Sequence, residues 1–170
     1  MGFFSRLMGG SDEQTTAASE FEILAPVSGE LVHLENTNDP AFSSRAVGDG
    51  VAVVPQEGTV CAPVSGTVAA LFPTEHALGI MSDDSSAQVM LHIGIDTVKL
   101  EGKGFHALVA QGDHVDAGQP LVEVDFDAVR AAGFDPTVFV IVYERSENST
   151  LREHASGPVA AKEPVIWLSE

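Results

Sequence analysis

The chain has 170 residues, of which 44% are hydrophobic and 19% are charged, a composition typical of one globular domain and not of a disordered chain. Its net charge of −17, from 25 acidic and eight basic residues, argues against a nucleic-acid partner because phosphate binding requires basic patches. The single cysteine, Cys61, excludes a disulfide framework, and no apolar run reaches the ~20 residues of a membrane span.

Residues 1–20 differ in character from the rest of the chain. They begin with MGFFSRLMGG, in which Phe3, Phe4, Leu7 and Met8 fall at helical spacing around Arg6, and continue with the acidic segment SDEQTTAASE. We expect a flexible tail, either disordered or a short amphipathic helix with weak or no membrane contact. The segment lacks the cleavage pattern of a secretory signal, so the sequence predicts a cytoplasmic protein.

Residues 21–170 are predicted to form a single all-β domain. Short apolar runs alternate with Gly, Pro, Asp and Asn, as in strands separated by tight turns, and only residues 105–111 and 126–132 have helical character. The predicted fold is an antiparallel β-sandwich or barrel-sandwich hybrid with one or two short helices. The predicted strands lie in FEILAPVSGELVHL, GVAVVP, TVCAPVSGTVAALF, ALGIMS, QVMLHIGI, QPLVEVD, TVFVIVY and PVIWL.

The pentapeptide APVSG occurs twice, at residues 25–29 and 62–66. In each copy proline fixes a bend, Ser-Gly makes a tight turn, and an apolar strand follows. The repeat therefore predicts a duplicated hairpin motif, in which two similar β-units pack together.

Two of the six histidines are candidates for chemistry, since no GxSxG, HExxH or P-loop motif is present. His92 lies in a predicted strand whose alternation places Met90, His92 and Gly94 on one face, and we expect Gly94 to let a partner approach. His76 follows the second APVSG strand, with Thr74 two residues before it as a hydrogen-bond partner. Two facing neutral imidazoles can bind a divalent metal or a phosphoryl group.

The segments APVSGTVAALFPTEHALGI and QVMLHIGIDTVKLEGKGF closely resemble the glucose-type IIA phosphocarrier of the bacterial phosphoenolpyruvate-dependent sugar phosphotransferase system. The resemblance covers nearly the whole chain and is most specific in HIGIDTV, from His92 to Val98. It implies a phosphotransferase component that takes a phosphoryl group from the phosphorylated carrier protein HPr and donates it to a sugar-specific IIB domain or IIBC membrane component. It also implies a cytoplasmic location, with transient presence at the inner face of the membrane.

The same resemblance implies roles for individual residues. His92 would carry the phosphoryl group on a ring nitrogen, His76 would stabilise the phosphoryl oxygens, and Thr74 would belong to the hydrogen-bond network behind His76. No cofactor is required, although His76 and His92 are possible ligands of a zinc ion shared with a partner carboxylate. The implied partner-binding surface comprises Asp39, Phe42, Val47, Phe72, Leu78, Met90, Asp96 and Val98.

This surface departs from the family, which often has valines where Pro40 and Ala41 stand, a larger aliphatic residue at Ala46, and Phe at Leu78 and Met90. Partner affinity and identity therefore stay open, as does regulation of metabolic or transport proteins through the phosphorylation state. The sugar also stays open among glucose, N-acetylglucosamine and a glucoside.

Three alternatives to a phosphocarrier stay open. A regulatory binding module would keep the fold without the transfer, but it would not need both histidines. A metal enzyme would use both histidines as ligands. The APVSGTV hairpin also resembles biotinyl or lipoyl carrier domains, but none of Lys99, Lys103 and Lys162 lies in the setting that such carriers require.

Overall fold

The computed structural model describes residues 20–170 of the chain. The tail predicted for residues 1–20 therefore lies outside the described residues, apart from Glu20. The regular structure is almost entirely β-sheet with antiparallel pairing, which confirms the all-β prediction. None of the described helices is long and apolar enough to cross a membrane.

Within residues 20–170 the secondary-structure elements are short, and two α-helices lie among the strands. Two 3₁₀ turns occupy Leu34–Asn36 and Thr97–Leu100. The α-helices are α1 (Pro40–Ser43) and α2 (Phe126–Ala131). The strands are β1 (Phe21–Leu24), β2 (Gly29–His33), β3 (Asp49–Pro55), β4 (Thr59–Cys61), β5 (Gly66–Leu71), β6 (Ala77–Ser82), β7 (Ala87–Ile93), β8 (Phe105–Ala107), β9 (His114–Val115), β10 (Pro120–Val124), β11 (Val138–Arg145), β12 (Thr150–Glu153), β13 (Gly157–Val159) and β14 (Pro164–Ser169).

The described strands form three sheets, all open at their edges. The large sheet has eight strands in the order β13-β2-β3-β11-β7-β6-β5-β9, and the two small sheets have the orders β1-β14-β12 and β4-β10-β8. One face of the large sheet packs against the small sheets and forms the main core. That core joins Leu91 of β7 and Val140 of β11 with Leu121 of β10 and Ile166 of β14. The predicted sandwich is confirmed.

The other face of the large sheet, called the outer face below, carries a smaller apolar cluster and His92. Direct antiparallel partners share a face of a sheet. Ala77 of β6 and Phe139 of β11 are the partners of His92, so all three residues lie on the outer face. The outer cluster consists of Leu34, Phe42, Ala52, Phe139 and Ile141, with Val32, Met90 and Ile95 packed against it.

The two APVSG copies make equivalent turns, which confirms the predicted duplication. A Cβ on Gly29 would lie 2.0 Å from the Val54 carbonyl oxygen, and a Cβ on Gly66 would lie 2.0 Å from the Met81 carbonyl oxygen. Both positions require glycine because the backbone of the neighbouring strand approaches so closely. The two glycines begin β2 and β5, which pair with β3 and β6 in the same antiparallel manner.

A second internal repeat, which the sequence did not lead us to predict, completes this symmetry. Residues 115–120 (VDAGQP) and 159–164 (VAAKEP) make the same turn, each against one APVSG copy. The N–H of Ala117 donates to Ser65 Oγ at 2.8 Å, and the N–H of Ala161 donates to Ser28 Oγ at 2.8 Å. Only three letters of these six-residue segments agree, which is too weak a signal by itself.

The helix predicted over residues 105–111 is wrong. Phe105–Ala107 is strand β8, because its backbone pairs with β10, and this pairing outweighs the helical spacing of the apolar residues. Helix α2 confirms the other predicted helix. Helix α1 was not predicted, although Asp39 followed by Pro40 is a typical N-terminal signal. Strands β12 and β13 were also missed, since both are short edge strands with little apolar alternation.

Candidate active site

His92 lies on the outer face of β7, between β6 and β11. Its direct partners across the sheet are Ala77 and Phe139. The flanking residues Leu91 and Ile93 point to the opposite face and are fully buried in the main core. The backbone on either side of His92 is therefore anchored, and the predicted alternation around this residue is confirmed.

His76 is the last residue of the short loop 72–76, which connects β5 with β6. The loop contains a tight turn, in which the N–H of Glu75 donates to the Phe72 carbonyl at 2.8 Å. The N–H of Ile93 donates to the His76 carbonyl at 2.7 Å and so holds the loop beside β7. The ring centroids of His76 and His92 lie 5.1 Å apart, with the ring planes at 87°. The structure thus brings together two histidines that the sequence alone did not join.

The Nδ1 atoms of the two rings differ in their hydrogen bonding. Nδ1 of His76 lies 2.6 Å from Oγ1 of Thr74, as predicted for that residue. Nδ1 of His92 is buried and has no hydrogen-bond partner among residues 20–170. The two Nε2 atoms are therefore the nitrogens that remain for external chemistry. When Thr74 donates to Nδ1, the proton of neutral His76 is on Nε2, where it can be donated to a ligand.

Burial lowers the pKa of both histidines. The pKa of His76 falls to about 4, chiefly through burial and secondarily through the neighbouring His92. Burial also lowers the pKa of His92, although the Gly94 backbone and the carboxylates of Asp39 and Asp96 act in the opposite direction. Because both rings are neutral near pH 7, each keeps a lone pair.

Aromatic side chains enclose the histidine pair. Phe42 packs edge-on against the His92 ring at a centroid distance of 5.2 Å and stacks on Phe139 at 4.4 Å. On the other side, Phe72 lies 5.6 Å from the His76 ring and is 49% exposed. One side of the pair is therefore lined by buried aromatic side chains, while Phe72 stands at the surface on the other side.

Helix α1 holds Phe42 in this position. The Asp39 carboxylate caps the helix by accepting the N–H groups of Ala41 at 2.9 Å and Phe42 at 3.4 Å. Pro40, at the start of the helix, fits this position because its fixed φ is helical and it has no N–H to leave unpaired. Asp39 thus has a local structural role in addition to any contact with a partner.

The turn after His92 requires glycine at position 94 for a local structural reason. Access of a partner at this position stays a prediction. Gly94 is buried and has a φ of +80°, and a Cβ on it would lie 2.3 Å from Cγ2 of Thr97. Thr97 is fully buried and donates its hydroxyl to the Ile93 carbonyl. A side chain at Gly94 would therefore displace Thr97 and strain the backbone.

The residues predicted to contact partners differ in exposure. Leu78 is fully buried in the main core, since it is the cross-strand partner of Leu91 and points away from His92. Its predicted partner contact is therefore contradicted. Phe42 is also buried, and its side chain supports His92. Partner contact stays a prediction for the remaining six residues, which are partly or well exposed: Asp39, Val47, Phe72, Met90, Asp96 and Val98.

Two residues of the site were missed at the sequence level. Phe139 is fully buried beneath Phe42, and the alternation in TVFVIVY already placed it on one face with Ile141. Asp135 accepts the Ile95 N–H on its carbonyl at 2.9 Å and the Asn38 side chain on its carboxylate at 3.1 Å. No sequence pattern indicates that role for Asp135.

The histidine pair alone does not complete a zinc site. Structural zinc has four protein ligands, and catalytic zinc usually has three. Residues 20–170 contain no group of three or more His, Cys, Asp and Glu side chains arranged to hold a metal. His76 and His92 would therefore contribute two nitrogen ligands, and a partner would have to contribute the rest.

Comparison with known proteins indicates one family. The sequence pattern of the family described as "phosphoenolpyruvate-dependent sugar phosphotransferase system, EIIA 1" matches residues 21–148. The glucose permease IIA from Mycoplasma capricolum is 34% identical and superposes with a TM-score of 0.80, over 88% of this chain and 96% of that one.

Longer proteins are also similar. The glucose-specific EIICBA component of Streptococcus pneumoniae is 42% identical over 144 residues, which are 85% of this chain and 20% of that protein. The β-glucoside-specific EIIBCA component of Bacillus subtilis is 39% identical over 170 residues, 99% of this chain and 28% of that protein. The N-acetylglucosamine-specific EIICBA component of Klebsiella pneumoniae is 41% identical, over 85% of this chain and 22% of that protein.

The chain spans less than a third of the length of these three relatives. The matched family pattern covers most of the chain, and the similar IIA structure is matched over nearly its full length. The chain therefore belongs to the EIIA 1 family of the phosphoenolpyruvate-dependent sugar phosphotransferase system.

Proposed function

We propose that the chain is a phosphocarrier that accepts a phosphoryl group on Nε2 of His92 from phosphorylated HPr and passes it to a sugar-specific IIB domain. The observation that carries this proposal is the apposition of His76 and His92, with centroids 5.1 Å apart, Nδ1 of His76 bonded to Thr74 and Nδ1 of His92 buried. The longer relatives are named as EIICBA and EIIBCA components, which combine A with B and C, and this supports a IIB or IIBC acceptor. The proposed setting is the cytoplasm, at the inner face of the membrane during transfer.

The transfer is a displacement at phosphorus. The Nε2 lone pair of neutral His92 attacks the phosphoryl group, a new N–P bond forms, and the N–P bond to the donor imidazole breaks with its electron pair returning to the donor. The lowered pKa of His92 keeps that lone pair available at neutral pH. The second transfer repeats the displacement with a nucleophile of the IIB domain attacking and His92 leaving.

His76 and the apolar walls have complementary roles in this proposal. The Nε2–H of His76, oriented by Thr74, donates to a phosphoryl oxygen, where negative charge must be stabilised during transfer. Phe42 and Phe139 exclude water from the inner side of His92 and so limit hydrolysis of the phosphohistidine. Asp39, Asp96 and the net charge of −17 favour a basic partner.

The sugar is not distinguished by this segment. Relatives that are 39–42% identical to the chain are named for glucose, β-glucosides and N-acetylglucosamine. We propose that the sugar is set by the membrane partner, and regulation of other proteins through the phosphorylation state is a further part of the proposal.

The test is labelling by radioactive phosphoenolpyruvate in a reconstituted mixture that contains HPr and the enzyme that phosphorylates it. His92→Gln should take no label, whereas His106→Gln, which changes an exposed histidine on β8, should be labelled like the unchanged protein. Label on the His92→Gln variant would refute His92 as the acceptor, and absence of label on the unchanged protein would refute the phosphocarrier function.

A further inference from the structure

Glu75 lies between the two residues that form the hydrogen-bonded pair Thr74–His76, and its side chain has an unusual partner. Its Oε2 accepts the backbone N–H of Ala107, 32 residues further along the chain, at 2.9 Å. Ala107 belongs to β8, an edge strand of a small sheet. The bond therefore joins the histidine loop of the large sheet to a different sheet.

The edge of β8 explains why this N–H is free to bind Glu75. The N–H of the next residue, Leu108, donates inward to the Leu121 carbonyl of β10 at 2.8 Å. Successive N–H groups of a strand point to opposite sides, so the Ala107 N–H points away from β10. No strand lies on that side in the described sheet, and the Glu75 carboxylate occupies the position.

The backbone of Glu75 is also unusual. Its φ is +61°, in the left-handed region that few residues other than Gly, Asn and Asp adopt readily. A glutamate in this conformation carries a conformational cost, and such costs persist where the surroundings hold the backbone in place. The bonds to Ala107 and to the Phe72 carbonyl are the two contacts that hold it here.

Three consecutive residues thus have three separate anchors. Thr74 binds the ring of His76, Glu75 binds Ala107, and the carbonyl of His76 accepts the Ile93 N–H. The first contact orients the ring and the third joins the loop to β7. The Glu75 contact fixes the middle of the loop, so that Thr74 stays in line with Nδ1 of His76.

We propose that Glu75 is a positioning residue for phosphoryl transfer, which acts through His76 by tying loop 72–76 to the edge of β8. The inference rests on the proposed function, since it assigns Glu75 to the step in which His76 stabilises the phosphoryl group. It requires the carboxylate as a hydrogen-bond acceptor and does not require its charge. It therefore predicts that an amide of the same length restores the effect.

The kinetic test measures transfer from phosphorylated His92 to a IIB domain. Glu75→Ala should lower kcat about tenfold, less than the ~10²-fold cost of misplacing a catalytic group, and leave KM for the partner unchanged. Glu75→Gln should transfer like the unchanged protein. In a His76→Gln background, Glu75→Ala should cause no additional loss, because both changes disable the same group.

Glu57 offers a matched control. Its carboxylate also accepts a distant backbone N–H, that of Ser28 at 3.2 Å, but the contact is with the first repeat and not with the histidine loop. Glu57→Ala should leave kcat unchanged. In Glu75→Asn the new residue is suited to positive φ, but its side chain is too short to reach Ala107. This variant should therefore lose activity as Glu75→Ala does. It replaces Glu75→Ala if the alanine prevents folding.

A second readout uses the unphosphorylated protein. Imidazole ¹⁵N shifts at pH 7.5 should show one dominant His76 tautomer in the unchanged protein and in Glu75→Gln, and a mixture in Glu75→Ala, together with faster exchange of the Ala107 amide proton. An unchanged kcat and an unchanged His76 tautomer in Glu75→Ala would overturn the proposal. Equal losses of kcat in Glu75→Gln and Glu75→Ala would also overturn it, as would a loss in Glu75→Ala that multiplies with that of His76→Gln. This arm needs no phosphate, so it separates a failure here from a failure of the phosphocarrier function.

Discussion

The two halves of the large sheet, β13-β2-β3-β11 and β7-β6-β5-β9, have the same strand arrangement but differ in the loops that connect their strands. After the first APVSG copy, residues 34–48 separate β2 from β3, whereas after the second copy only residues 72–76 separate β5 from β6. The long loop builds α1 and places Phe42 against His92, and the short loop holds Thr74 and His76. Duplication therefore explains the shared backbone, and the difference in loop length explains where the candidate site lies.

Strand register makes the comparison residue by residue. Gly66 lies opposite Ser82 and Gly29 lies opposite Pro55. Counting back by the same number of residues from Ser82 along β6 and from Pro55 along β3 reaches His76 and Asp49. These two residues therefore occupy equivalent positions in the two halves. On the next strands, His92 corresponds to Ile141 of β11. One half thus has two histidines where the other has an aliphatic residue and a carboxylate paired with arginines.

The largest expected effect separates His76 from its counterpart. His76→Gln should still accept phosphate on His92 but pass it on ~10²–10³ times more slowly, the scale for removal of one transition-state donor. Asp49→Asn should transfer at the unchanged rate, because Asp49 pairs with Arg45 and Arg145 and not with the histidines. Single-turnover transfer to a IIB domain measures both. Equal rates for His76→Gln and the unchanged protein would remove the functional difference between the halves.

The shared strand arrangement is tested next, at its two glycines. Gly29→Ala and Gly66→Ala each force a Cβ to within 2.0 Å of a carbonyl oxygen of the neighbouring strand. Each should lower the free energy of unfolding by about 3 kcal/mol, at the upper end of ordinary overpacking. Urea denaturation measures both values. If one variant were as stable as the unchanged protein while the other was not, the two turns would not be equivalent.

Acid should lower the free energy of unfolding, because His76, in the half that contains the histidine pair, becomes protonated more readily in the unfolded chain. The pKa of His76 in the folded chain is about 4, below its ordinary value of 6.5, so the unfolded chain binds more protons between these values. The stability is fully present above pH 6.5 and falls as the pH approaches 4, by on the order of 3 kcal/mol for this group. His76→Gln should flatten this part of the curve in urea denaturation, and a curve of unchanged steepness would contradict the assignment.

The smallest effect concerns the two serines of the repeat. Ser28→Ala and Ser65→Ala each remove one acceptor from a backbone N–H at 2.8 Å and should each lower the free energy of unfolding by about 1 kcal/mol. Ser44→Ala, in an exposed position at the end of α1, serves as the control and should change it by less than ~0.5 kcal/mol. Clearly different losses of unfolding free energy for Ser28→Ala and Ser65→Ala would show that the two repeats contribute unequally to stability.

The part of the site that the sequence predicted lies in regular strands. Alternation along β7 set the face of His92, and the APVSG repeat indicated the duplicated hairpins, because both depend on local periodicity and turn chemistry. The same alternation, applied to β6, would have placed Leu78 with the main core. The expectation of a partner contact for Leu78 came from the resemblance and was wrong.

The unpredicted part depends on contacts between distant segments. The stack of Phe42 on Phe139 joins residues from a loop and a strand almost a hundred positions apart, and no local pattern records it. The strand at Phe105–Ala107 was taken as helix because its pairing with β10 is a tertiary contact. The bond between Glu75 and Ala107 was missed for the same reason.

The hydrogen bond from Ile93 to the His76 carbonyl bears on the entropy of the reaction. It fixes the backbone of one histidine to the residue that follows the other, so the orientation of the two rings is established once, when the chain folds. In the proposed transfer, each encounter with a partner then begins with the hydrogen-bond donor His76 and the nucleophile His92 already side by side. In the language of intramolecular reactions, the proposed mechanism gives the pair a high effective molarity that no partner has to create.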